Sequence, residues 1–529
     1  MSAIATKPLQ ALVLLTALSS FWGLGHRIWE VDDARYAEVP REMAVSGDWA
    51  TPTLNGLNYV EKPPLWYWLA AASYKVFGVG EAAARLPLAL LSILGLAGVA
   101  WLGSWLYAPG TGLAAAVALG TSGLYFFLTH YMTPDLGVTV FLLWATALIL
   151  RTLLRPEDAR WAAPAAWACA ALAFLSKGLI AVVFPAGWTL GCLVLFPNLR
   201  KGALKLLHPL GPALFLLIAA PWPLLMQGRH PDFFHVFFIE QHFQRFLTAK
   251  YNRGEPWYFF LWVLPAGLLP WTPAVIAGAW AALKERGQGD VRGAALLLWS
   301  VMVVGFFSTS HSKLATYILP AFPHLCLLAA AALEKPLARW AQGLARVLGG
   351  ALAAAGVLAL FLCPREIAPN AAIAAAGLGI FCLGGALWLS KKDAVLRLGG
   401  GGLLLGALAL VAVGGVEDIM TAQPIAQAIM ARYKPGDLIY TYGTYLHGLP
   451  FYTGRRVDRV VNWIGELHYA KRDPANGGRF GDDSSIRALA PNGHSVYVVV
   501  RTRDLDYLLT LNKGLRKTRT FANWALVEL

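Results

Sequence analysis

The sequence predicts a polytopic α-helical membrane protein of about 13 transmembrane helices, followed by a small C-terminal α/β domain. Three observations carry that prediction. Only 14% of the 529 residues are charged while 57% are hydrophobic, against roughly 25% charged in a soluble globular domain. Apolar runs of about 17 to 25 residues, the length that spans a bilayer, fill most of the first 415 positions. From about Glu417 the composition changes, and short apolar or alternating stretches are separated by Gly, Pro and Asn turns.

In order, the apolar runs lie at 8–25, 86–107, 110–129, 134–153, 159–175, 178–196, 206–226, 257–283, 292–310, 314–333, 343–363, 367–390 and 395–415. The first lacks a small-residue cleavage signal and reads as a retained helix. The shorter segment Leu65 to Phe77 is rich in Trp and Tyr and contains Lys75, which predicts an interfacial helix lying along the headgroups. Loop charge agrees with this count. Arg151/Arg155/Arg160, Arg200/Lys201/Lys205, Lys284/Arg286/Arg292, Lys335/Arg339/Arg346 and Lys391/Lys392/Arg397 mark alternate loops, and the loops between them hold only Lys177, Lys313 and Arg365. Basic loops face the cytoplasm, so the N-terminus is inside and the C-terminus outside. Counting 65–77 as a span inverts every later loop.

Two outer segments, 26–85 and 227–256, keep their charge against this trend, and a reaction site is a natural reason. The expected organisation is a transmembrane domain over 1–416, with 26–85 as a large first outer loop carrying interfacial helices, and a soluble outer α/β domain over 417–529. Strands are expected at Asp437–Tyr442 and Ser495–Arg501, and a helix at Pro424–Arg432. Cys169, Cys192, Cys326, Cys363 and Cys382 fall in or beside apolar runs without metal-like spacing, so they read as packing residues with no disulfide framework. The net charge of +14 is explained by cytoplasmic loops and anionic lipid, with no need of nucleic acid. A transporter is the rival from another class. Repeated halves and helices broken at the midplane mark transporters, and neither pattern is visible in the sequence.

The outer ends of the helices collect the ionisable residues. Asp32, Asp33, Arg35, Glu61 and Lys62 come from the first loop, Asp135 from Thr133-Pro134-Asp135 and Lys177 from Ser176-Lys177-Gly178. Glu240, His242 and Arg245 come from the long loop, and His311, Lys313 and Tyr317 from HSKLATYILP. Charges against spans are costly and default to functional hypotheses. Bland readings stand beside these. Asp32 and Asp33 suit a helix N-cap, Arg35 neutralises them, Asp135 suits a cap after Pro134, and Lys177 suits snorkelling to the interface. Tyr59 and the rigid Pro63-Pro64 flank Glu61-Lys62 and favour a held geometry. His242 and Arg245, three residues apart, share a face on a helix. There is no HExxH, CxxC pair or P-loop, yet Glu61 with His242 supplies a carboxylate and an imidazole for a divalent ion such as Zn, Mg or Mn. Cations against apolar walls suit a phosphate carried on a lipid chain, and carboxylates beside them suit a general base or the binding of a cationic sugar or metal.

The stretches DDARYAEVPREMAVSGDW and LNGLNYVEKPPLWYWL resemble the first outer loop of the protein-mannosyltransferase-like, GT-C type membrane glycosyltransferases. Within that group they are most similar to the bacterial 4-amino-4-deoxy-L-arabinose lipid A transferases. TPD, LSKG, HFQRF and KLATYILP add weaker matches along the helical region. The resemblance implies a GT-C fold in the bacterial inner membrane, multi-pass, with the active site and C-terminal domain periplasmic. It implies a donor sugar on undecaprenyl phosphate, a lipid A phosphate as acceptor, a role in lipopolysaccharide modification and polymyxin resistance, and membrane lipids as surroundings. Carried over by residue, Asp32 is catalytic, Lys62 and Arg245 meet the donor phosphate, and Glu61 and His242 are able to bind a metal. Asp135 is the second acidic position, and Lys177 and Tyr317 belong to the outer rim. The family usually reads Asp-Glu where this chain has Asp32-Asp33, so no role passes to Asp33. Gln241 separates Glu240 from His242, so Glu240 is not carried over either. A related transferase using another sugar or a hydroxyl acceptor is the nearest alternative.

Overall fold

A computed structural model describes residues 6–247, 254–335, 337–362, 377, 393–414, 417–490 and 493–529. The chain divides into two compact units: Met1–Gly23 with Leu88–Ala412, and Leu24–Pro87 with Val413–Leu529.

The first unit is a bundle of apolar helices of a multi-pass membrane protein. Every predicted run except 367–390 coincides with a helical segment; of that run only residue 377 is described, and Cys363 and Cys382 lie outside the described residues. Six described helices are long and apolar enough to cross a bilayer, or seven with one bent pair, so the count of thirteen is not confirmed. The bent pair corrects the run at 257–283. Its helices, Phe259–Gly267 and Thr272–Gly287, meet at 109°, because Pro270 and Pro273 withhold the amide hydrogens a continuous helix needs. The run at 110–129 also divides, into Pro109–Gly120 and Gly123–Leu128. Helix Pro134–Leu154 is buried along most of its length and packs on Ala159–Lys177, with Ser176 facing Gly137.

The second unit joins the first loop to the C-terminal segment. Helix Asp32–Ser46 is buried from Asp33 to Ala44. Helix Leu65–Phe77 packs one face against it, with Trp66 Nε1 donating to Tyr36 O at 2.9 Å and Tyr74 OH to Ala37 O at 3.1 Å, and leaves Val76 and Phe77 exposed. Between them strands β1 (Thr53–Leu54) and β2 (Leu57–Asn58) form a hairpin. Asn55 and Gly56 turn it with φ of 57° and 68°, the positive pair that a two-residue type I′ turn demands.

The C-terminal segment forms a six-stranded sheet in the order β5-β4-β3-β6-β8-β7. Strands β3 (Leu438–Tyr442), β4 (Arg459–Val461), β5 (Phe480–Gly481) and β6 (Val496–Arg501) are parallel, while β7 (Arg516–Phe521) and β8 (Trp524–Glu528) run antiparallel. Tyr440, Tyr442, Val498, Val500, Leu508 and Val527 build its core. The expected strands and the expected helix, observed at Gln423–Met430, are present.

The sequence-based division assigns 26–85 to the membrane domain, whereas its contacts group this loop with the C-terminal segment. Hydrogen bonding explains the grouping. The Asn55 side chain accepts from Val457 N at 2.8 Å and donates to Val457 O at 3.0 Å. Glu30 N donates to Met420 O at 2.8 Å, and the Glu30 carboxylate accepts from the amides of His447 and Gly448 at 2.8 and 2.6 Å.

Candidate functional site

The candidate residues divide between the two units. In the second unit, Asp32 opens the Asp32–Ser46 helix and is ion-paired with Arg35 three residues on. Arg35, 6% exposed, reaches Glu466 Oε1 with its second guanidinium nitrogen at 2.6 Å and lies over the Tyr36 ring. Burial works against its charge, but Tyr59, Tyr36, Glu466 and Glu61 outweigh it and keep its pKa well above the ordinary arginine value. Tyr59 is buried and its phenol is pushed well up by that burial, so it remains a neutral donor, 3.4 Å from Glu61 Oε2. Glu61 also faces His468 Nδ1 at 3.7 Å, and Lys62 Nζ lies 3.5 Å from Glu61 O. Asp32, Arg35, Tyr59 and Glu61 thus belong to one polar cluster, as expected.

Asp33 does something else. It pairs with Arg85 at 2.5 Å with both side chains fully buried, and Arg85 also donates to the carbonyls of Leu24, His26 and Arg27. Adjacent acids therefore serve opposite ends, Asp33 the fold and Asp32 the partly exposed cluster.

In the first unit, Asp135, Lys177 and Tyr317 come together. Thr133 caps the Pro134–Leu154 helix, its hydroxyl accepting from Asp135 N, so Asp135 is not the cap and its carboxylate is left to pair with Lys177. Lys177 ends its own helix, and its ammonium lies 4.3 Å from the Tyr317 ring centroid, a cation–π distance. Gly178 follows with φ +81°, and a Cβ there would stand 2.3 Å from His242 Nε2.

Residues His235–Gln244 form a π-helix, which corrects the expectation that His242 and Arg245 share a face. Bonding from i to i+5 widens each turn, so a three-residue step no longer superposes side chains. Arg245 instead donates to Gln241 Oε1 at 3.1 Å. His242 accepts from Leu179 N at Nε2, 3.3 Å, and meets Phe237 O at Nδ1, 2.6 Å. That pairing assigns the proton to Nδ1.

The divalent ion expected at Glu61 and His242 does not fit these contacts. Both imidazole nitrogens of His242 are engaged by backbone, and no group of three or more His, Cys, Asp or Glu side chains among the described residues is arranged to hold a metal.

Sequence reasoning missed Glu466, His447 and His468, whose positions more than 380 residues from Arg35 and Glu61 leave no local pattern. It also missed Tyr67. Arg35 Nε, Tyr67 OH and His468 Nε2 are buried without a hydrogen-bond partner, and orphans of that kind cost about 1–3 kcal/mol each unless something satisfies them.

The dolichyl-phosphate-mannose-protein mannosyltransferase family matches residues 61–225. The undecaprenyl phosphate-alpha-4-amino-4-deoxy-L-arabinose arabinosyl transferase of Edwardsiella ictaluri is 30% identical, over 85% of this chain and 85% of its own length. The enzyme of the same name from Pectobacterium carotovorum is 34% identical over 63% of this chain, which spans only 58% of that relative's length. Among solved structures, ArnT from Cupriavidus metallidurans bound to undecaprenyl phosphate superposes with a TM-score of 0.88 at 26% identity, covering 99% of this chain and 98% of that one. The archaeal oligosaccharyltransferase AglB from Archaeoglobus fulgidus shares the fold, with a TM-score of 0.54 at 13% identity. With GT-C architecture over its whole length and these relatives, the chain belongs to the family of undecaprenyl phosphate-alpha-4-amino-4-deoxy-L-arabinose arabinosyl transferases.

Proposed function

We propose that the protein transfers 4-amino-4-deoxy-L-arabinose from undecaprenyl phosphate to a phosphate of lipid A at the periplasmic face of the bacterial inner membrane. The observation that carries this reading is the near-complete superposition on an ArnT bound to undecaprenyl phosphate. An acceptor phosphate oxygen attacks the anomeric carbon, the bond from that carbon to the donor phosphate breaks, and undecaprenyl phosphate leaves with the electron pair.

The acceptor needs little activation. The second pKa of a phosphate monoester is about 6, so near neutral pH its oxygen already carries the charge it attacks with. Asp32, ion-paired with Arg35, then serves as the anionic partner of the sugar ammonium. In the second unit Lys62, and in the first unit Arg245 and the Lys177 that Asp135 and Tyr317 orient, are each suited to offset charge on a phosphate. Tyr59 and the orphaned donors Arg35 Nε and Tyr67 OH are suited to sugar oxygens.

The test is expression in a bacterium lacking its own lipid A aminoarabinose transferase, followed by lipid A mass spectrometry and polymyxin challenge. The wild-type chain adds one aminoarabinose mass per modified phosphate, and Asp32→Ala and Lys62→Ala abolish it. Unmodified lipid A with a well-expressed wild-type chain refutes the acceptor assignment. Full modification by both variants refutes the residue roles.

A further inference from the structure

His447 lies outside the polar cluster but is connected to it. It is 1% exposed, immediately before the Gly448–Thr453 helix. Its Nδ1 faces Glu30 Oε2 and its Nε2 faces Glu466 Oε2, each at 3.6 Å. Those are ion-pair distances, too long for hydrogen bonds. Glu30 is fixed independently by the amides of residues 447 and 448, and Gly448 is glycine where a Cβ would stand 2.8 Å from Glu30 Oε1. Glu466 spends its other oxygen on Arg35, and Arg35 holds Asp32. Tyr445 and Trp463 wall the imidazole at ring distances of 5.0 and 6.2 Å. One chain of charge therefore runs Glu30, His447, Glu466, Arg35, Asp32.

The alternation of sign along this chain is what gives it direction. A half-buried Glu466 between two cations is drawn to both, and its position fixes where the Arg35 fork points. With a neutral residue at 447, Glu466 has Arg35 as its one close charged partner and is free to follow it, and Glu30 loses the cation it faces. Asp32 sits at the far end, partly exposed at 27%, so a small rotation of Arg35 is delivered to its carboxylate.

We infer that His447 is a positioning residue of the transferase, which sets the orientation of Asp32 through Glu466 and Arg35 without touching substrate. The inference rests on the transfer reaction proposed above and adds to it a residue of the C-terminal domain.

His447→Gln keeps approximate size and polarity but removes the cation. In a detergent-solubilised assay with undecaprenyl-phosphate-linked aminoarabinose and lipid A, it is expected to lower kcat by about 10- to 100-fold, the cost of misplacing a reacting group by about an ångström. KM for the donor rises as well, because Asp32 also holds the sugar ammonium in the ground state, while KM for lipid A stays near the wild-type value because the acceptor's contacts are untouched. Glu466→Gln gives a similar loss, and the H447Q/E466Q double variant loses no more than the worse single variant, since both act through one route. Wild-type kcat in H447Q overturns the inference, and so does a double variant whose loss is the product of the two. Glu30→Gln leaves the imidazole in place and carries the same expectation if H447Q does not accumulate. Should the wild-type chain transfer nothing, the proposed reaction falls and amide hydrogen exchange decides the positioning role separately. Faster exchange at the start of the Asp32–Ser46 helix in H447Q supports it, and unchanged exchange there overturns it.

Discussion

The Lys177 ammonium is ion-paired with the Asp135 carboxylate, joining the last residue of one membrane helix to the first turn of another. With side chains only 14% and 7% exposed, neither charge is well solvated without the other. Removing one partner of such a pair costs about 3 kcal/mol or more, whereas removing both costs much less. Lys177→Met and Asp135→Leu are therefore each expected to lower the apparent Tm in detergent. The double variant recovers much of that loss while staying inactive in lipid A modification. A double variant whose Tm falls by the sum of the two argues that the residues are not coupled.

Adjacent acids give a second contrast. Asp33→Asn leaves the Arg85 guanidinium buried without its counter-charge, a loss of about 3–5 kcal/mol, and is expected to deplete folded protein on size-exclusion chromatography. Asp32→Asn affects a partly exposed pair worth about 1 kcal/mol or less, so it keeps normal abundance and loses activity. The reverse order, with D32N scarce and D33N abundant, contradicts the assignment of fold and function between them.

Much of this arrangement was legible in the sequence, and the limits are instructive. Most apolar runs became helices, and TPD, LSKG and KLATYILP each contributed one member of the Asp135, Lys177, Tyr317 set. Hydropathy works there because a bilayer forces backbone bonding within each segment. It gave no sign that residues 235–244 form a π-helix, since one widened turn changes neither length nor apolarity. The partners of Arg35 and Asn55 were equally hidden. Glu466 and Val457 meet them through tertiary folding across 400 residues, and no period or motif records such a meeting. His242 shows a related limit: its residue type suggests a ligand, and only the fold reveals that backbone meets both of its nitrogens.

Gly178 tests that revised view of His242. An alanine at φ +81° carries backbone strain of about 1–3 kcal/mol, and its Cβ would also collide with His242 Nε2. Gly178→Ala is expected to lower both Tm and transfer. Adding His242→Ala removes the collision and restores part of the Tm, though not the strain component. No recovery in the double variant separates the imidazole from this turn.

The charge chain through His447 makes the second unit sensitive to pH on both sides. Burial lowers the His447 pKa, but Glu30 and Glu466 outweigh it and the net shift is upward from 6.5. Its contribution is thus complete below about pH 6.5 and is lost as pH rises through the folded value. Burial raises Glu466, but His447 and Arg35 more than offset this and hold it well below 4.5, so its contribution is present above 4.5 and lost as pH falls through the folded value. Wild-type Tm is expected to decline relative to His447→Gln as pH rises from 6.5 toward 9. Parallel profiles for the two proteins rule out this linkage.

The two-way amide contact between Asn55 and Val457 also bears on how such genes diversify. A crossover that exchanged only the 3′ portion between relatives would hand the early hairpin a foreign docking edge, even with every membrane helix inherited intact. Viable chimaeras should therefore carry codons for the two segments from one parent, and breeding libraries by swapping tails alone should yield mostly dead offspring.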